Sequence, residues 1–162
     1  MKFYNKKFRL GIVGSGYIAK FHTEAFSAIG HKPQILISSD GSRTAPEFAE
    51  KYSIKEVVKD SDFFYAKKSN DLDGLIIACN TEHTSKYVNW SQQNKIWTLA
   101  EKPISFDLEK IRSFLEFNLC IIGFNRRYYP NVKYLRSQIY SSASKKLFID
   151  MNLPERTNES KL

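Results

Sequence analysis

Cysteine, methionine and tryptophan each occur only twice in this 162-residue chain, and histidine only three times. Cys79 and Cys120 both sit in apolar runs, which excludes a disulfide scaffold and suits reduced, buried thiols in a cytoplasmic protein. His22, His31 and His83 form no His/Cys/carboxylate cluster with metal-ligand spacing, so no metal site is expected. No apolar run approaches the roughly 18 residues needed to cross a bilayer. The basic segment Met1–Arg9 leads into an apolar stretch too short for a signal-peptide core. Internal repeats are absent, and only Ser141–Ser144 resembles a linker.

What remains is ordinary globular composition, 42% hydrophobic and 26% charged, at a length that buries a core without staples. The net charge of +8 is spread along the chain, with small clusters at Lys6–Arg9, Lys67–Lys68 and Lys145–Lys146. No basic helix and no interleaved aromatic stacking pattern accompanies it, so nucleic acid is not an expected partner. The same charge is compatible with steering an anionic dinucleotide toward the surface.

Apolar runs alternate with helical periodicity along most of the chain. Strands are expected at Arg9–Val13, Gln34–Ser39, Glu56–Val58, Gly74–Cys79, Ile96–Ala100 and Leu119–Gly123. Helices are expected over Tyr17–Ile29, Ala45–Tyr52, Asp60–Lys67, Glu82–Asn94, Asp107–Phe117 and Pro130–Tyr140. In the first helix Ile18, Ala25, Phe26 and Ile29 share one face, taken as the buried one. His22 falls on the side of Ile18 and Ala25, and so reads as a packed core histidine. This alternation predicts an α/β fold, a Rossmann-type doubly wound parallel sheet of about six strands. Leu147, Ile149, Met151 and Leu153 alternate with polar or outward residues as a half-buried strand with no partner following it. That pattern suggests a chain that stops as a second domain begins, or else an added edge strand.

Gly14-Ser15-Gly16-Tyr17-Ile18-Ala19 fits G-x-G-x-x-G/A between the first expected strand and helix. The first glycine allows the tight turn, the second lets a pyrophosphate approach the backbone, and the small third residue lets helix pack on strand. After the second strand the chain reads Ser38-Ser39-Asp40-Gly41-Ser42-Arg43. Asp40 suits a ribose 2′-hydroxyl and NAD, Ser39 with Arg43 suits a 2′-phosphate and NADP, and Asp40-Gly41 also reads as a plain turn. The sequence leaves these alternatives open. Asn80-Thr81, Glu101-Lys102-Pro103 and Asn125-Arg126-Arg127 likewise follow the carboxyl ends of expected strands, the edge where open α/β sheets bind ligands.

In this order and at similar intervals, Gly14–Ala19, Ala78-Cys79-Asn80, Glu101–Pro103 and Gly123–Tyr128 resemble the N-terminal domain of the Gfo/Idh/MocA oxidoreductases, over about residues 8 to 140. The resemblance implies NAD or NADP as cofactor and hydride transfer to or from a hydroxyl of a sugar, nucleotide-sugar or polyol. Polysaccharide biosynthesis is one such setting. It implies that Lys102 is catalytic, close to the nicotinamide and the reacting carbinol. Glu101 and Pro103 would shape that turn, and Cys79, Asn80 and Thr81 would line the cofactor cleft. Asn125 would border the cofactor, and Arg126 or Arg127 would reach the cofactor or an anionic substrate, a structural ion pair being the alternative for either arginine.

Two departures accompany the resemblance. The family's Thr-Pro and following His correspond here to Cys79, Asn80 and Thr84, with His83 one place away. The family's second α+β domain, with its Asp and His, has no counterpart in these residues. The expected organisation is therefore an NAD(P)-binding domain over 1–140, then a linker and the start of a truncated domain over 141–162. The rival reading is a non-catalytic dinucleotide-binding or regulatory module, or an inactive fragment. Homo-oligomerisation is left open.

Overall fold

The computed structural model describes residues 8–63, 72–114 and 117–141. Two compact units divide the chain between Phe124 and Asn125. In the first unit, β1 (Leu10–Val13), β2 (Ile35–Ser38), β3 (Glu56–Lys59), β4 (Gly74–Ile77), β5 (Trp97–Ala100) and β6 (Cys120–Ile122) form one sheet, in the order β3-β2-β1-β4-β5-β6. Every neighbouring pair is parallel. This is the doubly wound dinucleotide-fold order, with its crossover point between β1 and β4.

The strands that bury both faces read as unbroken apolar runs, as parallel strands covered on both sides must. Val13, Ile35, Ile37, Leu75 and Ile77 point to one face, packed by Phe63 of α3 (Asp60–Phe63), by Tyr87, Val88 and Trp90 of α4 (Thr81–Gln93), and by Phe114 of α5 (Leu108–Phe114). Ile12, Leu36 and Ile76 point the other way, against Ala19 of α1 (Tyr17–Ala28) and against Ala45, Phe48 and Ala49 of α2 (Ala45–Lys51). Each fully buried side chain of this kind contributes about 1.5–3 kcal/mol. Asp107 caps α5: its Oδ1 accepts from the backbone N–H of Glu109 at 2.9 Å and of Lys110 at 3.4 Å.

The first helix corrects the sequence reading. Its buried residues are Ala19 and Thr23, with Phe26 partly buried beside them, while Ile18 is 43% and Ile29 66% exposed and Ala25 faces solvent. Close approach of α1 to the sheet needs small side chains there, which places Ala19 and Thr23 inward and the larger Ile18 outward. Cys79 and Cys120 are free but only half-buried, rather than fully buried. Burial still pushes the Cys120 thiol up to about 11.

The second unit opens with a 3-10 turn, Asn125–Tyr128, followed by α6 (Pro130–Ser141). Pro130 occupies the first helical position, where its missing N–H costs no helical hydrogen bond. The alternating segment Leu147–Leu153 and the end of the expected helix at Lys67 lie outside the described residues.

Candidate functional site

The sheet's register sets the level at which the site begins. Val13 pairs with Ile77, Ile77 with Ala100, and Ala100 with Ile122. One residue later each strand leaves the sheet, at Gly14, Ala78, Glu101 and Gly123. Backbone bonds continue across that edge, from Ala78 N–H to Val13 O (2.9 Å), Glu101 N–H to Ile77 O (2.9 Å) and Gly123 N–H to Ala100 O (2.8 Å). The turns expected to carry chemistry after β1, β4 and β5 therefore start side by side on one carboxyl edge.

The turn after β1 is built as the glycine pattern requires. Gly14 has φ +95°, a left-handed conformation, and a Cβ there would stand 2.5 Å from the carbonyl oxygen of Ala78. Gly16 is the N-cap of α1 with φ −83°, and a Cβ on it would meet nothing within 4 Å. No side chain caps that helix end. The space beside Gly16 is thus open at the positive end of the helix dipole, the arrangement that receives an anion.

A cleft of about 340 Å³ opens beside this helix end. Seven of the expected site residues line it: Gly14, Ser15, Gly16, Ser39, Asp40, Cys79 and Asn80. Ser15 turns its hydroxyl to Thr44 Oγ1 at 2.6 Å and Ser42 Oγ at 3.3 Å, tying the glycine turn to the loop after β2. Asn80 is the N-cap of α4, where its side chain makes no cap hydrogen bond and its carbonyl accepts from the Thr84 hydroxyl at 3.2 Å. Burial pushes the Cys79 thiol up against the opposing effect of its contact with Thr84.

Ser42, Asp60, His83 and Tyr87 also line the cleft, and sequence reasoning did not single out any of them as site residues. Asp60 follows β3 at the same edge, so the edge argument applied to that strand would have found it. Its carboxylate accepts from Lys86 and from the buried hydroxyl of Tyr87. Burial pushes the Asp60 carboxyl up, but these two donors outweigh it and hold the carboxyl below its usual range. Burial and the neighbouring Asp60 push the Tyr87 phenol well above its ordinary value. Asp40, exposed at the rim, accepts from Ser61 Oγ at 3.1 Å.

The other expected residues of the first unit are not among those lining this cleft. Tyr17 is 74% exposed and stacks edge-on against Phe21 at 4.8 Å, and Ile18 faces outward from the start of α1. Arg43 is exposed on the loop after β2 and does not line the cleft. Thr81 is the first residue of α4 and half-buried. Lys102 and Pro103 are exposed on the turn after β5, while Glu101 is half-buried beneath them. Asn125 and Arg127 belong to the second unit, where the Arg127 guanidinium lies 5.8 Å from the Tyr128 ring. The His22 side chain is largely buried, as expected, but it is not packed only among apolar groups: its Nε2 is 2.8 Å from Glu101 Oε1 at the carboxyl edge.

The open helix end, the glycine turn and the adjoining cleft fit the pyrophosphate and adenosine of a dinucleotide. Residues 8–118 match the profile of the GFO/IDH/MocA family, an oxidoreductase family with an NAD-binding Rossmann fold. The chain belongs to this family. Among Gfo/Idh/MocA relatives, the inositol 2-dehydrogenase of Rhizobium meliloti is 27% identical over 137 residues, 81% of this chain and 40% of that protein. The glucose-6-phosphate 3-dehydrogenase of Bacillus subtilis is 27% identical over 143 residues, 83% of this chain and 38% of the relative. Scyllo-inositol dehydrogenase from Lactobacillus casei, solved with NAD(H) and scyllo-inositol, shares the fold at a TM-score of 0.71 and 22% identity, over 83% of this chain and 41% of that one. The chain thus spans about 40% of the length of the curated relatives it matches. Among the described residues, no helix is long and apolar enough to cross a membrane.

Proposed function

We propose that this chain is the cofactor-holding half of a Gfo/Idh/MocA oxidoreductase acting on a sugar or polyol hydroxyl, and that it prefers NAD(H) to NADP(H). The observation that carries the reading is the uncapped N-terminus of α1, opened by Gly16 beside the cleft. When bound, NAD(H) supplies the hydride acceptor or donor for interconverting a carbinol and a carbonyl. The N–H groups at the start of α1 receive the pyrophosphate. Asp40 accepts from the adenosine ribose hydroxyls, and Asn80 borders the same cleft nearer β4. Lys102, exposed on the turn after β5, presents an amine that would take the hydroxyl proton as the neutral base and return it to the reacting oxygen as the ammonium. Ser39 and Ser42, which line the same cleft, complete the ribose rim. The sugar or polyol class follows the activities of the inositol and glucose-6-phosphate dehydrogenases among the relatives. Two free thiols suit a reducing, cytoplasmic setting.

Asp40 and Asp60 both line the cleft, whereas Arg43 does not, which favours a 2′-hydroxyl over a 2′-phosphate. A carboxylate and a phosphate a few ångströms apart near a protein surface repel by about 1–4 kcal/mol, enough for tenfold discrimination or more. Titration of the full chain by nicotinamide fluorescence is expected to give NADH binding at least about tenfold tighter than NADPH. Asp40→Asn narrows that gap by weakening NADH. Tighter binding of NADPH contradicts the preference, and binding of neither contradicts the function.

A further inference from the structure

The cleft accounts for the adenosine and pyrophosphate side of a dinucleotide, but neither it nor Lys102 explains the contact between His22 and Glu101. These residues are 79 apart in sequence, with Nε2 and Oε1 at 2.8 Å and side-chain exposures of only 12% and 13%. The Glu101 carboxylate is also held from a second side. A Cβ added at Gly123 would stand 2.9 Å from Oε1 and 3.2 Å from Cδ, so the carboxylate occupies the place a side chain would take at the end of β6. The imidazole on one side and the Gly123 backbone on the other set where the carboxylate rests.

The elements it joins give the contact its meaning. His22 rides on α1, six residues beyond the Gly16 cap, which is about 9 Å along a rigid helix. Glu101 is the residue immediately before Lys102. One hydrogen bond therefore ties the helix end that faces the phosphates to the turn that carries the exposed lysine. A half-buried carboxylate–imidazole hydrogen bond adds little net stability over an apolar replacement of the same volume, so folding alone does not call for it here.

We propose that the His22–Glu101 hydrogen bond is a positioning link. It fixes the Lys102 turn relative to the pyrophosphate-holding end of α1, and so governs the nicotinamide half of the cofactor while leaving the adenosine half unaffected. This rests on the dinucleotide reading of the cleft. In an open sheet of this order a dinucleotide lies across the crossover point, with its second nucleotide over the β4–β5–β6 half.

The test compares two ligands on the full-length chain: NADH, and ADP-ribose, which lacks the nicotinamide. His22→Ala removes the donor. Gly123→Ala displaces the Glu101 carboxylate from the opposite side, at little expected change in melting temperature because the atom it meets is the end of a flexible side chain. Both are expected to weaken NADH about tenfold while ADP-ribose changes less than about twofold, as for loss of one charge-assisted contact confined to one end of the ligand. His22→Gln retains an N–H donor to Glu101 and recovers most of the loss. Parallel weakening of both ligands would show a merely structural pair and overturn the proposal, as would unchanged NADH affinity in Gly123→Ala and His22→Ala. A wild-type chain that binds no ADP-ribose contradicts the dinucleotide reading itself, a distinct result.

Discussion

Gly14→Ala is expected to unfold the glycine turn and abolish cofactor binding together. The residue sits at φ +95°, where an L side chain is strained, and its Cβ would lie 2.5 Å from the Ala78 carbonyl oxygen. That oxygen belongs to backbone at the end of β4, beside the edge bond from Ala78 N–H to Val13 O. Neither partner has room to give without opening the crossover point between β1 and β4. Left-handed strain and a backbone clash together cost about 3 kcal/mol or more, which lowers the melting temperature by roughly 10 °C in a chain of this size. A thermal melt and an NADH titration on the same sample check both parts.

Gly16→Ala is expected to leave stability nearly unchanged while still weakening binding. Gly16 has φ −83°, a region open to alanine, and its Cβ would meet nothing within 4 Å. Alanine is a poorer N-cap than glycine, but it also reduces the freedom of the unfolded chain, and the two effects roughly offset at about 0.5–1 kcal/mol each. The melting temperature should hardly move. The new methyl nevertheless stands in the space through which a pyrophosphate approaches the first turn of α1, and NADH affinity should fall about tenfold or more. Glycines two positions apart thus separate a demand of the fold from a demand of the ligand. Equal loss of stability at both would mean that the turn is only a turn.

The strands and the glycine turn were legible in the sequence because both rest on local patterns. Apolar runs such as Leu75–Ile77 announce buried parallel strands, and Gly14-Ser15-Gly16 announces the bend that follows one. The inward face of α1 was not legible. Counting apolar residues selects Ile18, Ala25 and Ile29, whereas close packing on the sheet selects Ala19 and Thr23 for their size, both fully buried. His22 is largely buried, as its position suggested, but its partner lies 79 residues on and leaves no local trace. The same holds for Asp60, which receives Lys86 and Tyr87 from a helix more than 20 residues away. Family resemblance pointed to the Glu101–Pro103 turn, but it was the register of β1, β4 and β5 that set that turn level with Gly14.

The central claim is that a dinucleotide binds across this edge with its pyrophosphate at the start of α1. Amide NMR of the isotopically labelled full-length chain, titrated first with ADP-ribose and then with NADH, tests it residue by residue. ADP-ribose is expected to shift the amides of Gly14, Gly16, Tyr17, Asp40 and Asn80, and NADH to add Glu101 and Lys102. Shifts scattered over other surfaces, or none at Gly16 and Tyr17 at saturating ligand, would contradict it.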